Sequence, residues 1–266
     1  MGALGGCASE ELSAGPWVPV EVSYTALQTD VARRYPYADD AQFAAERREA
    51  GLDARAYERF ADVLSPFGVW IELPGYGHAW VPALLRVGTG FVPYASDGRW
   101  TPTEFGWSWS SDWDWGWVPF HYGRWIDVDH YGWCWLPGTT WGPGWVEWRL
   151  GGGWVGWAPS PPPGVSIQAA GSARSPWRFT TVAELGARAP SLVPAEAVFA
   201  LTRAWSNPLL VAAAGTVVQV NAGPTAGLLR AGRPQYGTLP RDPSGYSNRW
   251  APRYGAPSYA GPRFTP

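Results

Sequence analysis

Between residues 66 and 163 tryptophan keeps falling on alternate positions, in Trp107-Ser108-Trp109, Trp133-Cys134-Trp135 and Trp113-Asp114-Trp115-Gly116-Trp117. In an extended chain such residues share one face, so the pattern predicts strands with an aromatic side and a second side of small or polar residues. Pro and Gly at nearly every edge break helices and supply turns. Pro then Gly in Leu73-Pro74-Gly75-Tyr76 suits a type II turn, and Val128-Asp129-His130-Tyr131 occupies the matching place in a later stretch. Trp141–Trp148 and Gly153–Pro159 predict one more, degenerate hairpin, with Gly151-Gly152-Gly153 as its turn and Pro161-Pro162-Pro163 as its end.

On either side the periodicity changes. In 9–65 it is helical: Tyr24, Leu27 and Val31 share a face, Asp40 caps a helix that Gly51 stops, and Asp53 caps a second. Tyr57, Phe60, Ala61 and Leu64 form the apolar stripe of that second helix, which Pro66 ends. The helices are expected to cover one side of a Trp-rich sheet. In 164–229 Trp177-Arg178-Phe179 reads as a strand and Thr181-Val182-Ala183-Glu184 has capping-box spacing for a short helix. Pro194 opens another helix, with Val198, Leu201 and Trp205 as its stripe, and Leu209–Val220 bends at Ala213-Ala214-Gly215 into a hairpin. Those twelve residues are too few to span a bilayer. The fold class is therefore mainly β, α+β overall: antiparallel Trp-rich hairpins in 66–163, N-terminal helices, and a small C-terminal α+β appendage.

Within 66–163 the hairpins follow one unit, Gly-x-Trp, a spacer, then aromatic-Gly-x-x-Trp. It runs from Gly68-Val69-Trp70 to Tyr76-Gly77-His78-Ala79-Trp80, from Gly98-Arg99-Trp100 to Phe105-Gly106-Trp107-Ser108-Trp109, and from Gly123-Arg124-Trp125 to Tyr131-Gly132-Trp133-Cys134-Trp135. The starts lie 30 and then 25 residues apart, a spacing that fits one hairpin and one connection per unit. The connections echo each other as well, Gly90-Phe91-Val92-Pro93-Tyr94 matching Gly116-Trp117-Val118-Pro119-Phe120. With Trp141-Gly142-Pro143, Trp148 and Gly156-Trp157-Ala158-Pro159, the stretch from about Ser65 to Pro163 resembles an uncharacterised family of Trp/Gly-rich bacterial envelope proteins, some of which carry FecR-type domains. That resemblance implies a secreted or envelope location and a non-catalytic role.

Composition adds location and charge. Residues 9–65 carry a net charge of −5, 66–163 of −4 and 164–266 of +7, and all twenty basic residues are Arg. Leu4-Gly5-Gly6-Cys7 resembles a bacterial lipobox, which makes Cys7 the expected lipidation site and 1–8 a remnant of the export signal. The six residues before Cys7 are too few for a signal peptide, so an upstream start or a trimmed chain is expected. Residues 230–266, with six Arg, one Asp and many Pro and Gly, form a tail too polar to order itself, and an arm for anionic polymer or head groups is its functional alternative.

No Gly-x-Ser-x-Gly, His-Glu-x-x-His or phosphate loop occurs. His121, His130, Asp127, Asp129 and Cys134 match no metal-ligand spacing, so neither metal nor cofactor is expected. Most tryptophans should be packing. The exposed row that would stack on sugar rings is assigned to Trp113, Trp115 and Trp117, among Ser and Asp, with Asp112 and Asp114 facing solvent. The functional expectation is a non-enzymatic envelope lipoprotein acting as a structural or binding module for polysaccharide, peptidoglycan or an envelope protein, without nucleic acid. The alternative is a cryptic glycan-processing enzyme using Asp112, Asp114 or Glu147.

Overall fold

The computed structural model describes residues 41–213 and 216–225; Cys7, the 24–31 face, Asp40 and the 230–266 tail lie outside them. Among the described residues twelve strands fall into four antiparallel sheets. β1 (Gly68–Leu73), β2 (Gly77–Pro82), β5 (Arg124–Val128) and β6 (Gly132–Leu136) form one sheet in the order β1-β2-β6-β5. β7 (Val146–Gly151), β8 (Trp154–Pro159), β9 (Arg178–Thr181) and β10 (Arg203–Trp205) form a second, in the order β10-β7-β8-β9. β3 (Gly98–Thr103) with β4 (Gly106–Ser111), and β11 (Pro208–Ala213) with β12 (Thr216–Asn221), stand as two-stranded hairpins. The C-terminal α+β part thus joins the hairpins edge to edge through β9 and β10.

Four hairpins place tryptophans directly opposite each other: Trp70 with Trp80, Trp100 with Trp109, Trp125 with Trp135 and Trp148 with Trp157. The glycine of Gly-x-Trp seats the partner's indole. A Cβ at Gly68 would lie 2.6 Å from Trp80 Nε1, one at Gly98 2.6 Å from Trp109 Cζ2, and one at Gly123 2.9 Å from Trp135 Nε1. The spacer inside each unit therefore sets the separation between a seat and the ring that fills it.

Of the sixteen tryptophans in 66–163, ten are buried and six partly buried; none is fully exposed. Each buried indole removes roughly 150–250 Å2 from water, about 5 kcal/mol of transfer free energy. Six of the ten buried indole N–H groups donate to carbonyls, among them Trp80 to Leu64 (3.0 Å), Trp125 to Pro119 (2.9 Å), Trp135 to Tyr122 (2.7 Å) and Trp157 to Tyr94 (2.7 Å). The two echoing connections meet at the centre, where the Tyr94 and Phe120 rings lie 5.2 Å apart and Tyr94 OH donates to Phe120 O.

Both faces of the first sheet are buried, in different materials. Trp80, Trp125 and Trp135 belong to the aromatic core, while Ala79, Val81, Ile126, Val128, Cys134 and Leu136 form an aliphatic cluster on the other side. The helices divide between them, contrary to the one-sided cover expected. α1 (Ala41–Glu49) sends Phe43 to the aliphatic cluster, and α2 (Ala56–Leu64) sends Phe60 and Leu64 to the aromatic one. The turn between them forces the split: Gly51, at φ 74°, ends α1 with Leu52 N bonded to Arg47 O and Gly51 N to Arg48 O. Asp53 Oδ1 then accepts Arg55 N to open α2.

Further along, β9 and the β11–β12 hairpin form as expected, but two helical stripes do not. Thr181-Val182-Ala183-Glu184 is a turn, because the Glu184 carboxylate accepts from Thr180 Oγ1 and Ser191 N instead of capping a helix. α4 (Ala195–Val198) runs into a short 3-10 turn and stops at Leu201; only Val198 of its expected stripe is buried, and Trp205 belongs to β10. α3 (Leu84–Val87) was not apparent from periodicity, being a single turn.

Candidate functional site

The row expected at Trp113, Trp115 and Trp117 is not a row. Trp113 N bonds to Ser111 Oγ, and the chain then turns repeatedly, with Gly116 N to Trp113 O, Val118 N to Trp115 O and His121 N to Val118 O. Gly116 packs so tightly that a Cβ there would lie 2.3 Å from Ser111 Oγ. Trp115 is 2% exposed, stacked on Trp113 at 4.8 Å and edge-on to Trp80 at 5.0 Å. Trp117 is half-buried against Phe60. Alternate spacing here marks successive turns: Trp115 is packed inside and Trp113 and Trp117 are half-buried against other rings, so no exposed row forms. Asp112 and Asp114 are exposed, as expected.

A cleft of about 520 Å3 opens instead beside the β3–β4 hairpin. Its floor is Trp100, Trp109 and Trp157, and its far wall is the loop from Leu185 to Leu192. On the rim, Asp97 and Asp112 face Arg99 and Arg188, and Arg188 Nη2 bonds to Asp112 Oδ2 at 3.3 Å. Asp112 N also bonds to Asp97 O at 2.8 Å, which closes the end of the hairpin and holds both acids at one lip. Asp97 itself sits at φ 46°, where Asp is tolerated better than most residues.

The wall loop is held in place before any ligand arrives. Glu184 ties its two ends through Thr180 Oγ1 (3.1 Å) and Ser191 N (2.9 Å), and Val193 N bonds to Phe179 O (3.0 Å). Gly186, at φ 96°, presses its backbone close to Trp100 O and the Trp107 ring. Under the floor, the indole N–H groups of Trp100 and Trp109 have no acceptor among the described residues, unlike those of Trp125 and Trp135. Tyr94 stacks on Trp100 at 5.8 Å and fixes the floor from below.

Deeper groups serve packing. His121 Nδ1 lies 2.9 Å from Gly142 O, and burial lowers its pKa to about 4. Arg124 lies 3.5 Å above the Trp145 ring, where burial lowers its pKa to about 9. Burial pushes the Cys134 thiol up, leaving it a small unreactive wall residue. Among the described residues no three His, Cys, Asp or Glu side chains come together as a metal site would require.

Residues 61–164 match the model of a family of unknown function (DUF6600). Neither a curated protein nor a solved structure matches the chain. The matched segment holds α2's last turn and all four Trp-paired hairpins, so it contains the cleft floor and the rim from Asp97 to Asp112. The wall loop lies beyond it. Sequence reasoning missed Trp100, Trp109, Trp157 and Arg188 as a group because the wall arrives from a distant segment without any motif.

Proposed function

We propose that this chain is a non-enzymatic binding module of the bacterial cell envelope, lipid-anchored through Cys7, whose cleft beside β3–β4 takes a stretch of envelope polysaccharide or peptidoglycan. The observation that carries this reading is the cleft's composition. Aromatic edges form the floor, both signs of charge stand on the rim, and the wall is preset. A sugar has a belt of hydroxyls that exchange hydrogen bonds with guanidinium and carboxylate alike, and the floor indoles, 2–3% exposed, close the bottom of the cleft with their edges. Its volume lies within the roughly 300–1,000 Å3 usual for small-molecule sites.

Calorimetric titration with peptidoglycan fragments and envelope polysaccharides tests it. Saturable binding that Arg188→Ala weakens at least about tenfold, with an unchanged urea midpoint, is the expected result. Silence with every glycan would remove the reading. Mass spectrometry of protein exported from an extended reading frame tests the anchor, an unmodified Cys7 counting against it.

The enzymatic alternative draws on Asp97 and Asp112, which share the cleft lip, although Asp112 is engaged by Arg188. Release of reducing ends from a bound glycan, abolished in Asp97→Asn, would favour it.

A further inference from the structure

A second pocket, of about 360 Å3, lies on the other side of the first sheet's end, and its chemistry differs from that of the cleft. One wall is apolar: Val81, Leu84, Val87, Phe91 and Trp133. The opposite wall carries Arg174 and Arg178. Arg174 is committed, bonded to both Asp127 and Asp129. Arg178 is not: its Nη1 donates to Ser175 O at 3.0 Å and Trp177 O at 2.9 Å, and no carboxylate among the described residues pairs with it.

A half-buried guanidinium without a counter-ion is costly, and burial lowers the pKa of Arg178 accordingly. Carbonyls satisfy two of its five donors, which leaves a fork free for an anion. At the mouth Leu84 is 60% exposed and Leu85 fully exposed, so the apolar wall continues outward onto the surface. The Gly88-Thr89-Gly90 lip leaves open space, since a Cβ at Gly88 or Gly90 would meet nothing within 4 Å.

We infer that this pocket binds an anionic amphiphile, its carboxylate or phosphate head on Arg178 and its alkyl chain along Leu84, Val87, Phe91 and Trp133. A sugar would leave the aliphatic wall unmatched, and a bare anion would leave it dry. The Asp127 carboxylate in the lining and Asp129 next to it, both bonded to Arg174, bring negative charge near the head group and limit affinity. Removing that charge strengthens binding.

The test is calorimetric titration of the full chain with n-octyl phosphate and n-octanoate, against n-octyl glucoside and inorganic phosphate. The two anionic amphiphiles bind saturably, and affinity rises roughly threefold to fourfold per methylene from hexyl to octyl phosphate. Arg178→Gln lowers anionic affinity about tenfold or more, and Asp129→Asn raises it. Gly90→Leu, which adds bulk where the lip is open, abolishes binding even if Arg178→Gln misfolds. Octyl glucoside binding as tightly as octyl phosphate would overturn the assignment, as would inorganic phosphate doing so, or indifference to Gly90→Leu. Vesicles of phosphatidylglycerol and of phosphatidylcholine identify the source: retention on the anionic vesicles alone assigns a membrane lipid, and binding of monomeric amphiphile without retention assigns a soluble one.

Discussion

Hairpins β3–β4 and β5–β6 begin from nearly one sequence, Gly-Arg-Trp followed by aromatic-Gly-Trp-x-Trp, and end in different surroundings. Their tryptophan faces are alike, each with an opposed pair and a glycine seat. Their second faces are not. β5–β6 offers Ile126, Val128, Cys134 and Leu136, which an aliphatic cluster covers, and β6 pairs onward with β2. In β3–β4 the corresponding positions are Thr101, Thr103, Ser108 and Ser110, and Pro102 lacks the N–H that an added strand would need. That hairpin stays two-stranded, and the cleft opens beside it. The tryptophans build the core in both; the second face of β5–β6 takes an aliphatic cover, that of β3–β4 carries hydroxyls, and the cleft opens at the Trp100–Trp109 end of the latter.

The largest expected effect is at the seats. Gly123→Ala sets a Cβ 2.0 Å from Leu136 O at a position with φ 67°, so it should cost about 4 kcal/mol or prevent cooperative folding. Gly98→Ala meets the Trp109 ring and Ser110 O without positive φ, and should cost about 2 kcal/mol in urea melts. Equal losses would break the contrast.

Next comes acid. His121, in the connection between β4 and β5, ties it to the segment that precedes β7, its ring bonding Gly142 O and its carbonyl accepting from Trp145 Nε1. Its folded pKa, about 4, lies below the ordinary 6.5, so the unfolded chain binds the proton more readily. Stability is therefore unaffected above pH 6.5 and falls by about 3 kcal/mol as pH drops to 4. Urea melts of wild type and His121→Gln across this range should differ in slope; parallel curves would discard the link.

Smaller differences sharpen the comparison. Trp135→Phe removes the indole donor to the Tyr122 carbonyl and should cost about 1–2 kcal/mol more than Trp109→Phe, whose N–H has no acceptor among the described residues. Ser108→Cys places the other hairpin's residue in β4, where the buried serine hydroxyl has no partner among the described residues. A gain of about 1 kcal/mol is expected, and a loss would mean that the hydroxyl is satisfied by bound water.

The hairpins were legible because Gly-x-Trp and aromatic-Gly-x-x-Trp encode a local register, and a register needs no distant partner. Turn chemistry was legible for the same reason: Gly75 and His130 occupy the same left-handed position, at φ 79° and 68°. Trp113 to Trp117 misled because alternate spacing does not separate a strand from a run of turns; Ser111 Oγ and the close-packed Gly116 decide the matter. The cleft was illegible because Arg188 reaches Asp112 across 76 residues, and nothing local to Leu185–Leu192 announces a wall. The helices' division between two faces likewise depends on how Gly51 redirects the chain, which periodicity does not encode.

The closeness of the rings also shapes how this molecule handles light. Trp100 and Trp148 are centred 4.7 Å apart, Trp113 and Trp115 4.8 Å, and Trp80 and Trp115 5.0 Å. Neighbouring indole transitions at such distances couple, so excitation spreads through the cluster instead of resting on one chromophore. Circular dichroism will accordingly carry a paired band of opposite signs from the interlocked indoles, overlying the peptide signal and distorting any helix or strand content read from it. Emission will be depolarised and weighted toward whichever indole lies lowest in energy. A single Trp→Phe replacement should thus alter the spectrum by more than its share of the chromophores, and the paired band should vanish on unfolding together with the packing that creates it.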